Sequence, residues 1–344
     1  MSATSPASPP ATPPATTRRP LSIASIVQSQ GALIALLAVL VFGGLRYDHF
    51  MGAQNVADVL SNSSKFALIS VGMAFVIMSG GIDLSVGTVA VLSSVLAARY
   101  SEHGIAAAVA AGVAVGLVAG LVNGVLIARL RLMPFIATLC TYIAARGLAL
   151  VVSERQTVSI SYEQGFDAVG QGSALGLPIP LWIAAAVVLV GAVALRYSRF
   201  GRSVLAVGGN EEAARLMGLP VERVKVEVYV LSGALAGLAG VILAAQTSGS
   251  PTEGVGWELI AIASVVVGGT LLTGGQGSVL NTVTGVLLLS VILNLINFEN
   301  GHTGGPHLTL GSHWQTIVRG LFLLAVILLQ SHLARGGRTR FSSA

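Results

Sequence analysis

Residues 105–128 read IAAAVAAGVAVGLVAGLVNGVLIA, a run without a single charged side chain. A helix that crosses the hydrocarbon core of a bilayer needs about 20 predominantly apolar residues. A surface helix of a soluble domain shows a polar face at helical spacing, and this run has none. It predicts a transmembrane helix, and the sequence on both sides repeats the pattern.

The composition extends that prediction to the whole chain. Of the 344 residues, 53% are apolar and 10% are charged, whereas soluble domains average about 25% charged. So few charges cannot cover a soluble surface, which disfavours soluble enzymes, nucleic-acid binders and secreted scaffolds. The one cysteine, Cys140, excludes an intramolecular disulfide and a CxxC metal site.

Apolar segments of this kind predict an all-α fold, a polytopic bundle of about eight to ten transmembrane helices with broken helices. Segments 84–100 and 258–273 are short for a crossing, so eight spans with re-entrant pieces stay an alternative to ten. The segments cover residues 26–45, 56–79, 84–100, 105–128, 133–152, 179–197, 226–247, 258–273, 277–296 and 314–332.

An even number of spans places both termini on one side of the membrane. The positive-inside rule predicts that this side is the cytoplasm, because 13 of the 19 lysines and arginines then lie there. We expect a disordered cytoplasmic tail at 1–20, a transmembrane domain at 21–335 and a second cytoplasmic tail at 336–344. This sorting by membrane side accounts for the net positive charge, so no nucleic-acid partner is expected. The cytoplasmic residues are Arg18, Arg19, Arg129, Arg131, Arg196, Arg199, Arg202, Arg215, Arg223, Lys225, Arg335, Arg338 and Arg340.

The longest polar interruption on that side is the loop 198–225, which contains GGNEEAARLMGLPV. It predicts a short helix with Asn210 as N-cap, Glu211 and Glu212 in the first turn, and Gly218 at its end. A short capped helix outside the membrane suits a groove on a soluble partner. A solvated connector between two spans is the alternative.

That loop resembles the coupling loop of ABC importer permeases, in the form of the ribose/xylose/galactose sugar-permease family. Three further blocks in the same order resemble the family, and the resemblance as a whole runs from about residue 30 to 332. The insert GHTGGPHLTLG at 301–311 departs from the form seen in the galactofuranose-importer member of this family. The blocks are SGGIDLSVG at 79–87, PFIATL with ARGLA at 134–139 and 145–149, and ELIAIA, VGGT and GGQGSV at 258–263, 267–270 and 274–279.

The resemblance implies a bacterial inner-membrane permease subunit that imports a monosaccharide and binds no cofactor, since partner ATPase subunits bind ATP. It also implies an extracytoplasmic sugar-binding protein and a second permease, identical or homologous. Residues 294–298 and 312–317 look closest to a permease of the galactofuranose importer, and a ribose-like sugar is the other expectation. The implied ATPase-coupling residues are Gly209, Asn210, Glu211, Glu212, Ala213, Ala214 and Gly218.

Asp83 follows two glycines between apolar runs, and a carboxylate inside a membrane is a functional candidate by default. An N-cap of the next helix is the plainer interpretation, and direct contact with sugar is the alternative. The glycines near 268 likewise interrupt an apolar segment. This suggests that two broken helices line the translocation path as a pair. The candidates for the translocation path are Gly80, Gly81, Asp83, Ser85, Gly87, Arg146, Gly268, Gly269 and Thr270.

Several polar features stay open on sequence alone. Arg146 either reaches the outer interface or lines the path. The loop 153–178 either docks a binding protein or connects two spans. The spacing of His302, His307 and His313 gives no metal geometry, so no metal site is predicted.

Neither lysine fits an ATP-binding loop, because Ser64 precedes Lys65 and Val224 precedes Lys225 where glycine is needed. The chain is therefore not expected to be an enzyme. The rival function is an ion-coupled secondary transporter of small polar solutes. That class needs carboxylates in mid-membrane, and only Asp83 and Glu258 are available.

The charge distribution makes a topological prediction. In a Cys140→Ser background, cysteines placed at Ser173 and Ser203 should react with an impermeant maleimide from opposite faces of the membrane. Labelling intact cells and inverted vesicles measures this. Reaction of both positions from the same face would contradict the assignment.

Overall fold

The computed structural model describes residues 23–301, with side chains from 31 to 300, and residues 317, 320 and 321. The two predicted tails, the three histidines above and most of segment 314–332 lie outside the described residues. The helices are α1 (Ile23–Arg46), α2 (Ala53–Met78), α3 (Val86–Tyr100), α4 (Ile105–Ala128), α5 (Pro134–Val152), α6 (Ala168–Gln171), α7 (Ile179–Tyr197), α8 (Arg199–Gly209), α9 (Glu211–Leu216), α10 (Val221–Gln246), α11 (Trp257–Val267) and α12 (Val279–Gly301).

The predicted all-α membrane fold is confirmed. Nine of the ten apolar segments coincide with helices of the described residues, and six of these helices are long and apolar enough to cross a membrane: α2, α4, α5, α7, α10 and α12. The two segments predicted to be short are short. The 15 residues of α3 and the 11 of α11 extend roughly 22 Å and 16 Å, against a hydrocarbon core of about 30 Å.

The helices differ in how much of their surface the chain itself covers. In α2 and α10, 78% of the most apolar window is buried, against 22% in α4, α5 and α7. Helices α2 and α10 therefore form the centre of the subunit. The apolar outer faces of α4, α5 and α7 are suited to lipid or to another membrane subunit.

Helices α4 and α10 cross in backbone contact along a stripe of glycines. A methyl group added at Gly116 would overlap the carbonyl oxygen of Gly233, and one added at Gly233 would overlap that of Gly116. Two turns further along α4, a methyl at Gly124 would lie 2.9 Å from the Cα of Val226. Small residues at four-residue spacing allow this approach, which maximises van der Waals contact between membrane helices.

The loops gather at two opposite ends of the bundle. One end, here called the α6 end, holds α6 and the two-stranded hairpin β1 (Ser173–Ala174) and β2 (Leu177–Pro178). Gln171 donates hydrogen bonds to the carbonyls of Ala245 and Gln246 at the last turn of α10. The other end, the α9 end, holds α8 and α9.

Replacement of Gly116 by alanine should destabilise the subunit, because backbone atoms of α10 fill the space and cannot rotate away. Overpacking of a tight core costs about 1–3 kcal/mol, so the melting temperature of the purified permease should fall. Gly147→Ala on α5 is the matched control, since no atom lies within 4 Å of the added methyl. Equal melting temperatures of the two variants would contradict the close crossing.

Candidate functional site

The loop between α7 and α10 folds into two capped helices. The Ser198 hydroxyl accepts a hydrogen bond from the Gly201 amide at the start of α8, at 3.0 Å. The Asn210 side chain accepts one from the Ala213 amide at the start of α9, at 2.9 Å. Gly218 follows α9 with φ +79°. The predicted cap, first turn and glycine end of the short helix are confirmed.

Charged side chains fasten α9 to the first turns of α10. Lys225 Nζ donates to Glu211 Oε2 at 2.7 Å, and Arg215 contacts Glu211 at 3.4 Å and Glu222 at 3.7 Å. The hydrogen bond from Lys225 lowers the pKa of the Glu211 carboxyl below its ordinary value. Sequence analysis missed the Lys225 partnership, because the two residues are fourteen positions apart and the contact depends on how the chain reverses after α9.

The outer surface of α9 is left uncovered by the described residues. Leu216 and Met217 are 85% and 71% exposed, and Glu212 beside them is exposed and makes no ion pair among the described residues. Glu211 and Glu212 face Arg131 across an open cavity of about 530 Å³. A small apolar tip ringed by charge, on a rigidly capped helix, has the character of a docking surface.

The two helix breaks end their helices in the same way. After α2, the Gly80 and Gly81 amides donate to the carbonyls of Ile77 and Val76, with Gly80 at φ +85°. After α11, the amides of Gly269 and Thr270 repeat the pattern, with Gly269 at φ +86°. Both are the Schellman motif, in which a left-handed glycine satisfies the last carbonyls of a helix.

The first break and the segment that follows the second break meet α8 in a contact made of backbone atoms. We call this contact the glycine junction: Gly80, Gly208, Gly209, Gly274 and Gly275. The Gly275 amide donates to the Met78 carbonyl at 2.9 Å. A methyl at Gly275 would lie 2.7 Å from the Cα of Gly209, and one at Gly274 would lie 3.0 Å from the Cα of Gly80. The structure thus connects a predicted coupling residue, Gly209, to the predicted break residue Gly80.

Asp83 lies at the centre of a buried hydrogen-bond network. Its two oxygens accept from the Ser85 amide and hydroxyl, at 3.0 and 2.6 Å, and from the Ser232 hydroxyl at 2.9 Å. Asn123 of α4 donates to the Ser85 hydroxyl at 2.9 Å and accepts from Thr141 of α5. The predicted N-cap role of Asp83 needs correction. The N-cap position of α3 is Ser85. Asp83, two residues earlier, accepts the Ser85 backbone amide, as a capping carboxylate does. Through Ser85 and Ser232, its network also joins α3, α4, α5 and α10 beside the first break.

The other predicted path residues do not form one cluster. Gly87 allows α3 to approach Glu258, whose buried Oε2 has no hydrogen-bond partner among the described residues. Gly268 packs against the backbone of Asn281 in α12, and the Thr270 hydroxyl is buried without a partner among the described residues. Arg146 is exposed on the outer face of α5, apart from both breaks.

A polar wall at the α6 end was missed by sequence analysis. Lys65, inside α2, is 5% exposed, and its ammonium donates to the amide oxygens of Asn62 and Gln246, at 3.3 and 3.0 Å. It also lies 5.6 Å above the ring of Trp257. A lysine within an apolar segment was the available signal, because a charge in a membrane span marks a functional position.

The ion pairs of Glu211 with Lys225 and Arg215, here called the α9 clamp, predict that the stability of α9 depends on pH. Because folding lowers the pKa of Glu211, its carboxylate stabilises folded α9 fully above the ordinary carboxyl pKa of 4.5. This stabilisation is lost as the pH falls through the lower folded-state pKa. Glu211→Gln should therefore speed amide exchange in α9 at pH 7, and the difference from wild type should vanish in acid. Hydrogen exchange corrected for intrinsic rates measures this. Glu212→Gln, in the same turn, is the control, and an equal effect of both changes would contradict the clamp.

The chain is similar to known transport proteins over most of its length. The chain matches the family described as branched-chain amino acid transport system, permease component, over residues 55–327. The ribose import permease protein of Bacillus subtilis (strain 168) is 38% identical over 318 residues, covering 91% of this chain and 96% of that relative. The L-arabinose transport system permease protein of Escherichia coli (strain K12) is 36% identical over 321 residues, covering 92% and 95%. No solved structure matches.

A second ribose import permease protein, from Escherichia coli (strain K12), is 37% identical over 311 residues, covering 89% of this chain and 94% of that relative. These matches confirm the predicted family, and the likeness to a galactofuranose permease stays a prediction. A permease component has no cofactor of its own and is not the catalytic subunit. The chain therefore belongs to this family of transport-system permease components, as a multi-pass membrane subunit related to the permeases of bacterial sugar importers.

Proposed function

We propose that this chain is the membrane-spanning subunit of an ATP-driven importer, which accepts a monosaccharide from an extracytoplasmic binding protein. Partner ATPase subunits engage the loop 198–225, and a second permease, identical or homologous, completes the transmembrane path. The observation that carries the proposal is the capped helix α9. Its exposed tip is connected, through α8 and the glycine junction, to the first break and to the segment that follows the second.

The distribution of positive charge supports a cytoplasmic location for the α9 end. Arginines and lysines are concentrated there, whereas Arg46, Lys65, Arg99 and Arg155 are the counterparts at the α6 end. Positive residues in short loops favour the cytoplasmic face. The set at the α9 end comprises Arg129, Arg131, Arg196, Arg199, Arg202, Arg215, Arg223 and Lys225.

The contacts suggest how movement of an ATPase reaches the membrane interior. A push on α9 acts on α10 through the bond between Glu211 and Lys225, and on α8 through the short connection at Asn210. Helix α8 packs by backbone against the end of α2 and against Gly274 and Gly275, which follow the second break, so a shift of α8 displaces both segments. Packed elements of this kind change between discrete arrangements rather than deforming continuously. The two arrangements are the inward- and outward-open states.

The relatives support a monosaccharide as substrate, since their names specify ribose and L-arabinose. The family description names branched-chain amino acids instead. We take a ribose-like sugar and galactofuranose as the two candidates, the latter because of the sequence at 294–298. One residue of that stretch, Asn294, exchanges hydrogen bonds with Asn55 at the α6 end.

The rival function, ion-coupled transport, would use Asp83 or Glu258. The hydrogen bonds that Asp83 accepts from two serines hold its carboxyl in place, which suits a structural role. Glu258 is the remaining candidate for an ion site, because one of its oxygens is buried without a partner among the described residues.

Vesicles that contain the permease with its ATPase and binding protein test the proposed function. ATP should drive uptake of labelled ribose, arabinose or galactofuranose, and a protonophore should leave the rate unchanged. Leucine uptake with no sugar uptake would contradict the substrate class. Uptake that collapses with the protonophore and ignores ATP would favour the rival.

In the same vesicles, Glu212→Ala and Gly218→Ala should lower sugar uptake and the stimulation of ATPase activity by loaded binding protein together. Glu212 makes no ion pair within the described chain, so its loss acts on the docking surface. Alanine at Gly218 must adopt φ near +79°, which costs about 1 kcal/mol or more and shifts the tip of α9.

Expression of both variants should stay normal, because neither change touches a membrane span. Glu163→Ala, exposed in the loop at the α6 end, is the control and should transport like wild type. Wild-type uptake by both α9 variants would mean that the loop 198–225 is a connector.

A further inference from the structure

Two cavities lie side by side at the α6 end, on either side of the first half of α2. One, of about 440 Å³, lies between α2, α11 and α12, and the other, of about 500 Å³, reaches the loop around α6. Asp58 and Asn62 line both. We call the pair the polar chamber. Each volume falls within the roughly 300–1,000 Å³ typical of small-molecule sites.

Lys65 is the most unusual group in the chamber wall. It is buried inside a membrane-spanning helix, and no carboxylate of the described residues lies within ion-pair distance of it. Asn62 and Gln246 supply its two acceptors, so one of its three N–H groups lacks an acceptor among the described residues. Burial of a cation in this way is costly, and such groups serve a ligand or an ion path.

The rest of the lining determines which ligand the ammonium suits. Asp58 and Glu253 add carboxylates, and Asn62 and Asn294 add amides that both donate and accept. The indole of Trp257 forms part of the same wall. Balanced donors and acceptors next to an aromatic ring suit a neutral solute with many hydroxyl groups. Two carboxylates disfavour an anion.

The position of the chamber relates it to the moving parts of the proposed mechanism. Its walls include the first half of α2, which ends at the Gly80 break, and the first residue of α11, which ends at the Gly269 break. It lies at the end opposite α9, on the side where a binding protein would deliver its cargo. A solute bound in the chamber would contact both α2 and α11, the two helices whose ends the proposed movement of α8 displaces.

From these observations we infer that the polar chamber is a solute-binding site of the permease itself, for a neutral polyhydroxylated ligand such as a monosaccharide. Lys65 and Asp58 hydrogen-bond its hydroxyl groups. The inference deepens the proposed function and rests on it. The site accepts sugar after its release from the binding protein and before the breaks rearrange.

Full-length permease in nanodiscs, without binding protein or ATPase, tests the inference directly. Trp182→Phe and Trp314→Phe leave Trp257 as the only indole, and its emission should respond saturably to ribose, arabinose or galactose. Lys65→Gln should raise the half-saturating concentration about tenfold, the effect of losing one hydrogen bond to a charged group. Asp58→Asn should also raise the half-saturating concentration. Because Asp58 is exposed, this variant tests the site even if Lys65→Gln fails to fold.

Arg155→Gln is the matched control, because it removes a positive charge at the same end but outside the chamber lining. It should leave the titration unchanged. Unchanged half-saturation in both chamber variants would overturn the inference. So would an absence of any response to a sugar that the assembled complex transports, or a response to leucine alone.

Uptake by the assembled complex separates this inference from the proposed function. If the wild-type complex transports no sugar, the proposed function fails. If the wild type transports sugar and Lys65→Gln and Asp58→Asn transport it equally well, the chamber inference alone fails. We expect both variants to slow uptake at subsaturating sugar while loaded binding protein still stimulates ATPase activity.

Discussion

In a bilayer, lipid tails are as apolar as the helix surfaces, so helices associate through close packing rather than through the hydrophobic effect. The glycine stripe between α4 and α10 is where this chain obtains that packing, since carbonyl oxygens of each helix touch the backbone of the other at Gly116 and Gly233. Nothing larger than hydrogen fits there. Because α10 is central and anchored in this way, it forms the frame against which α2, α3 and α8 are packed.

Local sequence predicted most of the helices and the caps of α9, because span length, apolarity and capping chemistry are properties of short segments. It could not predict contacts between segments. Gly209 and Gly80 were placed in separate functional sets, and the structure joins them through the glycine junction. The same limit explains Asp83: a carboxylate before a helix suggests a cap, whereas its partner Ser232 comes from α10, 149 positions away. The burial of Lys65 likewise depends on α10 and α11.

The buried polar groups fall into two kinds. Asp83 accepts hydrogen bonds from Ser85 and Ser232, and a satisfied network of this kind holds helices in one arrangement. Glu258 and Thr270 each keep a buried oxygen without a partner among the described residues. Both belong to α11 and its break, and a third such group, the Ser70 hydroxyl, lies in α2. The unsatisfied groups among the described residues thus lie in the two helices whose C-terminal ends adjoin the glycine junction. Such groups destabilise the arrangement that leaves them unpaired, which favours a second arrangement of comparable free energy.

Helix α2 connects the polar chamber at one end of the subunit to the glycine junction at the other. Its polar half lines the chamber at Lys65, and its last carbonyl, at Met78, accepts the hydrogen bond of the glycine junction. The two points are separated by about 20 Å of continuous helix, from 13 residues at 1.5 Å each. A rigid helix transmits a shift at one end to the other. Coupling between two sites is reciprocal in binding free energy. If the proposed function and the chamber site hold, an ATPase that moves α8 alters solute affinity in the chamber, and a bound solute alters the affinity of α9 for that ATPase.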